Sequence, residues 1–134
     1  MNGRTVGFVV MIATLLGTGA LGLLNGIVEL NDTLTPFQRS VSTGVLAYGI
    51  AGITGAAGLL ARRRWAVWLA FAWAVIVTYV ASTAALAYAP EASLAGAFAS
   101  GIASALVGAA VVWGARVAVD DRTTDPSIVP ERSK

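Results

Sequence analysis

Thr14, Thr18, Gly22, Asn25 and Glu29 recur at steps of three and four residues along one apolar stretch. In a helix that spacing gathers them on one face, so two hydroxyls, an amide and a carboxylate share a stripe that ends in an ionisable group. Turned toward the interior of a membrane bundle, such a stripe guides a cation or a proton, with Glu29 as acceptor and Asn25 as its hydrogen-bonding neighbour. A plainer role is open to the same residues. Glu29 lies roughly 12 Å outward from the centre of its span, close to water, and the threonines can bond back to their own helix. Thr78, Tyr79, Ser82 and Thr83 form a second polar set. They either complete a pocket with Tyr48 or serve as interhelical hydrogen-bond partners. Arg39 stands where it can pair with Glu29 or Asp32 across a short loop.

Other chemistry is excluded by what the chain lacks. With no Cys and no His, it offers no disulfide framework, thiol nucleophile, Cys/His zinc site or imidazole haem ligand. There is no Walker loop, no G-x-S-x-G, no pair of carboxylates within one span and no cluster of metal ligands. An enzyme is not expected, nor a cofactor or metal. A net charge of +2, carried by loops and tail, gives no basic groove for nucleic acid.

The elements that must position these residues follow from the charge pattern. Of 134 residues, 57% are hydrophobic and 12% charged, against roughly a quarter charged in soluble chains, and the mean hydropathy is +0.76. The charges fall between four uninterrupted stretches, 6–28, 41–61, 65–89 and 94–115. Each matches the ~20 residues needed to cross a hydrocarbon core. Their apolar character on every face excludes barrel strands, which alternate. The fold class is therefore all-α, a polytopic four-helix transmembrane bundle over residues 1–119, followed by a charged, proline-containing tail from 120 to 134 that reads as mobile.

The joints carry matching signals. Thr35-Pro36-Phe37-Gln38 supplies a capping hydroxyl, a proline at the first helical position and a glutamine three residues after the cap, which predicts the start of helix 2. Pro90 ends helix 3, and Glu91 suits the first turn of helix 4. Between helices 2 and 3 only arginines intervene, which forces an antiparallel hairpin. With the N-terminus inside, eight Lys and Arg residues lie on the cytoplasmic side and Arg39 alone on the other. The positive-inside rule then predicts both termini in the cytoplasm. Trp65, Trp68 and Trp113 cluster toward the same boundary, as interfacial aromatics do. The first apolar run, at 23 residues, exceeds the 7 to 15 of a signal-peptide core, which favours a retained span.

Small residues predict how the helices meet. Helix 4 carries Ala97, Gly101, Ser104, Gly108, Val111 and Ala115 on one face, and helix 2 offers Gly44, Ala51, Gly52, Gly55 and Ala56. Such faces let backbones approach where lipid supplies no hydrophobic drive. They serve either a dimer seam or packing within one bundle. Arg62, Arg63 and Arg64 set topology and can also meet anionic lipid headgroups.

Leu-Asn-Gly-Ile-Val-Glu-Leu at 24–30, the Gly-rich second helix, and Gly58-Leu59-Leu60-Ala61 running through arginines into Trp65-Ala66-Val67-Trp68-Leu69-Ala70 resemble the DoxX-like small four-helix bacterial membrane proteins. The resemblance implies an inner-membrane protein, in some members an accessory to a redox or respiratory system. Two functions are expected from sequence. One is a non-catalytic accessory subunit of the bacterial inner membrane whose partners are lipids and a protein or a second copy. The alternative is a small dimeric transporter or channel built on the helix 1 stripe ending at Glu29.

Overall fold

The computed structural model describes residues 3–32, 34–89 and 91–120. Residues 121–134 of the expected tail and the break at Pro90 lie outside the described residues. Four helices make up the chain: α1 (Gly3–Glu29), α2 (Pro36–Leu60), α3 (Trp65–Tyr88) and α4 (Leu94–Asp120). All four are long and apolar enough to cross a membrane. At 24 to 27 residues and 1.5 Å per residue, they run roughly 36–40 Å, somewhat more than a ~30 Å hydrocarbon core.

Their ends are built locally. Thr35 caps α2 with a complete capping box: its side chain accepts from the Gln38 backbone N–H, and the Gln38 side chain accepts from Thr35 N–H at 3.0 Å. The α1 end is closed by Asn31, whose side-chain amide donates to the Ile27 carbonyl at 2.8 Å. Helix α2 ends with two bonds that run back into its last turn, from Arg62 N–H to Leu59 O and from Arg63 N–H to Gly58 O. This is the Schellman arrangement, which puts one residue in the left-handed region. That residue is Arg62, at φ 52°, where glycine is usual. An L side chain there costs roughly 1–2 kcal/mol. Arg62→Gly is therefore expected to raise unfolding stability by about 1 kcal/mol, read by denaturant titration in micelles. No gain would mean that the arginine side chain itself contributes to the turn.

The helices pack in chain order, as a bent row. Each of α1–α2, α2–α3 and α3–α4 is an extensive interface, whereas α1 meets α4 slightly and α2 meets α4 less. Glycines govern the close approaches. A Cβ at Gly49 of α2 would lie 2.6 Å from the Leu23 backbone nitrogen and 3.0 Å from the Gly19 carbonyl of α1. One at Gly22 would lie 2.5 Å from the Tyr48 ring. On the other side of the row, Gly101 of α4 faces Ser82 of α3, and a Cβ at Gly108 would lie 2.7 Å from that of Ala74.

The predicted α4 stripe is thus an interface inside the chain. Ala97, Gly101, Gly108, Val111 and Ala115 are buried against α3, and Ser104 is the half-buried member. Gly52 and Gly55 also pack within the row, Gly52 against the Leu15 carbonyl and the Trp73 ring, Gly55 against Leu69. Trp73 of α3 is the largest fully buried side chain, 1% exposed, in a core shared with Met11, Ile12 and Leu15 of α1, Leu59 of α2 and Val111 of α4. The space left by Gly52 is what admits its indole.

Candidate functional site

The structure sorts the polar residues into two places. The first is at the end of the row opposite the arginine turn. Ser42 of α2 is fully buried, and its hydroxyl donates to Glu29 Oε2 at 2.7 Å. Tyr88, at the end of α3, reaches Ser42 Oγ at 2.5 Å and Glu29 Oε2 at 3.3 Å. Each hydroxyl has one proton. With Ser42 donating to the carboxylate, Tyr88 donates to Ser42. One carboxylate and two hydroxyls therefore tie α1, α2 and α3 together. Gln38 adds a strand to the tie, since its Nε2 donates to the Ala87 carbonyl at 3.1 Å, satisfying a group that the end of α3 leaves open. Ser40 and Tyr79 form a further α2–α3 bond at 2.9 Å.

Glu29 thus finds hydroxyl partners on α2 and α3. The expected neighbour Asn25 is exposed and forms no hydrogen bond among the described residues. The reason is rotational. The face of α1 that meets α2 is set by Leu15, Gly19, Gly22 and Gly26, and the polar stripe runs along its flank, sharing only Gly22 with that face, while its Glu29 end reaches α2 and α3 through hydroxyls. Arg39 is joined to neither Glu29 nor Asp32 among the described residues. Three of the helix 3 hydroxyls bond within α3 and not to Tyr48 among the described residues. Thr78 bonds to Ala74 O, Ser82 to Thr78 O and Thr83 to Tyr79 O.

The second place is a cleft between α1 and α4. The two helices meet near the arginine end, where Met11 approaches Gly114 and the side chains of Phe8, Trp113 and Val117 gather. Farther along, Thr14 and Thr18 of α1 face Ala103, Ser104 and Val107 of α4 across a cavity of about 310 Å³, with Trp73 and Val77 of α3 forming its floor. Thr14 and Thr18 donate to the carbonyls of Val10 and Thr14 in their own helix. The Ser104 hydroxyl makes no hydrogen bond among the described residues. Trp73 Nε1–H is buried and likewise unpartnered. Both are departures from rule, because hydroxyls on membrane helices usually bond back to their own turn, and a buried donor without an acceptor costs free energy. Sequence spacing places Ser104 on the packing stripe and assigns Trp73 no role.

Among the described residues no group of three or more acidic, His or Cys side chains comes together to hold a metal ion. No family model, curated relative or solved structure matches this chain.

Proposed function

We propose that the chain is a non-catalytic accessory protein of the bacterial inner membrane that holds a transmembrane helix of a partner in the α1/α4 cleft. In this reading both termini are cytoplasmic, following the arginine bias of the sequence. Trp65, Trp68 and Trp113, all more than half exposed near the arginine turn, suit an interfacial belt on that side. The DoxX-like layout supports the accessory role.

One observation carries the proposal: the Ser104 hydroxyl, without a partner among the described residues, borders a cleft that it shares with Thr14 and Thr18. Thr14, Thr18, Ser104 and Trp73 all lie near the middle of their helices, where water is absent and an unmet hydrogen bond is costly. A partner helix that brings a Ser, Thr, Asn or Gln side chain to this depth satisfies the Ser104 hydroxyl, and in membranes such a bond contributes about 1 kcal/mol. The threonine oxygens supply additional acceptors.

Photo-crosslinking in living cells tests this. A crosslinking residue at Val107, which lines the cleft, is expected to capture a membrane protein, whereas one at exposed Leu94 on the same helix is not. Ala103→Leu, which narrows the cleft, should reduce the Val107 adduct about tenfold, because one misplaced large side chain at a packed helix contact costs 1–3 kcal/mol. Equal adducts at Val107 and Leu94, or indifference to Ala103→Leu, would remove the cleft from the function. An adduct at twice the chain's own mass would make the partner a second copy.

A further inference from the structure

The outer side of the α3–α4 pair carries a groove that the partner cleft does not use. Where the two backbones approach at Gly108 and Ala74, Phe71 and Val75 of α3 and Ala105, Ala109 and Trp113 of α4 rise on either side of a cavity of about 480 Å³. Phe71, Val75 and Trp113 are all at least half exposed, so the groove opens to the surroundings of the row. At one end it is closed by Arg116. The same Arg116, with Arg64, Val67, Val119 and Asp120, lines an adjoining cleft of about 420 Å³. At the other end, Thr78 and Ala105 are shared with a second apolar cavity of about 290 Å³ that continues toward Leu86 and Leu94. An apolar channel therefore runs along the membrane axis and ends at a basic head.

We propose that this groove holds one phospholipid with an anionic headgroup, its phosphate between Arg64 and Arg116 and one acyl chain lying along α3 and α4. Charge complementarity selects the occupant. Two guanidiniums border the head cleft against the single carboxylate of Asp120, and Arg62 and Arg63 adjoin in the same turn. Guanidinium groups pair with phosphate oxygens in a fork geometry. A docked helix, 10–12 Å across, is too broad for a channel between two helices whose backbones nearly touch, and would leave the excess positive charge of the head cleft unbalanced. An acyl chain fits the width, and the headgroup supplies the charge. The inference assumes the membrane placement proposed above and is independent of the α1/α4 cleft.

Native mass spectrometry of the intact chain, released from bilayers of equal phosphatidylglycerol and phosphatidylcholine with identical chains, tests it. One phosphatidylglycerol per chain is expected to survive release, preferred about tenfold over phosphatidylcholine. The double variant Arg64→Gln with Arg116→Gln, both at exposed positions, should bring the preference close to parity. Ala105→Leu with Ala109→Leu fills the groove and leaves the arginines in place; it should lower retention of both lipids. Helicity and thermal unfolding of each variant establish that it folds. A preference unchanged by the arginine variants, or retention unchanged by the leucine variants, would overturn the proposal. So would displacement of the lipid by millimolar inorganic phosphate, which would make the site one for a free anion. A shift in oligomeric state or loss of a co-purifying protein in the leucine variants, with lipid unaffected, would assign the groove to a protein partner instead. Failure of the Val107 crosslink leaves each of these outcomes intact.

Discussion

Gly49→Ala is expected to destabilise the fold by about 2–3 kcal/mol, even though alanine favours a helix over glycine by about 1 kcal/mol. The added Cβ meets backbone, not a flexible side chain: Leu23 N at 2.6 Å, Gly19 O at 3.0 Å and Gly22 C at 3.0 Å. Backbone atoms within a helix cannot swing aside, so α1 and α2 must separate along their whole crossing. Separation also loosens the contact of Gly26 with Leu46 and of Gly22 with Tyr48. In a bilayer, the placement proposed above, no hydrophobic gain draws the helices together again. Gly7 and Gly17 provide the comparison, since a Cβ at either meets nothing within 4 Å. Alanine there should be neutral or slightly stabilising. Unfolding in mixed micelles by an ionic detergent measures all three. If Gly49→Ala matched Gly17→Ala, the α1–α2 approach described above would be wrong.

The contrast between these glycines shows what could be read from the sequence. The four helices and most of their starts were legible because charge and apolar runs mark them and the Thr35–Gln38 capping box stands in four consecutive letters, but α4 runs on to Asp120, past the apolar stretch that stops at 115 and into the first residue of the expected tail. The α4 stripe was legible for a similar reason: its small residues have no polar neighbours at the same spacing, and five of its six members are buried. On α1 two patterns overlap. Gly22 belongs both to the row with Thr14, Thr18 and Glu29 and to the row with Gly19 and Gly26, and periodicity alone does not say which row faces α2. The structure selects the glycine row, which leaves Asn25 exposed.

The order of packing was legible only in part: the short arginine turn pairs α2 with α3, but no such signal separates α1 from α4. Small residues mark a face that meets another helix, but they do not say which helix it meets. Whether α1 closes onto α4 or stays apart from it over most of its length is therefore silent in the letters. So is the solitude of Ser104 and of Trp73 Nε1, since a missing hydrogen-bond partner is a property of arrangement. The Glu29–Tyr88 link, spanning 59 positions, likewise depends on α1 and α3 flanking α2 at one depth.

That link leads to the second large effect. Ser42→Ala is expected to cost about 2 kcal/mol, because it removes a buried hydroxyl bonded to a carboxylate, and bonds to charged groups contribute about 1.5–3 kcal/mol. The loss is shared by two partners. Glu29 Oε2 loses its 2.7 Å donor, and Tyr88 loses its nearest acceptor, falling back on contacts at 3.3 and 3.5 Å. Thr54→Ala serves as the reference, since Thr54 is exposed and bonds only to Ile50 O in its own helix; its change should stay within about 0.5 kcal/mol. Combining Ser42→Ala with Tyr88→Phe then measures the connection between helices. If the three groups act as one tie, the double variant should lose less than the sum of the singles, with a coupling of about 0.5–1 kcal/mol. Additive losses would mean that Ser42 and Tyr88 hold Glu29 separately. A Ser42→Ala variant as stable as Thr54→Ala would mean that the carboxylate is not anchored to α2, which would return Glu29 to the role of a free acceptor at the end of the helix 1 stripe. Glu29→Gln distinguishes these cases further: in an anchored carboxylate it keeps an acceptor oxygen for Ser42 and lowers stability by less than Ser42→Ala does, since the amide retains the bond and loses only its charge assistance.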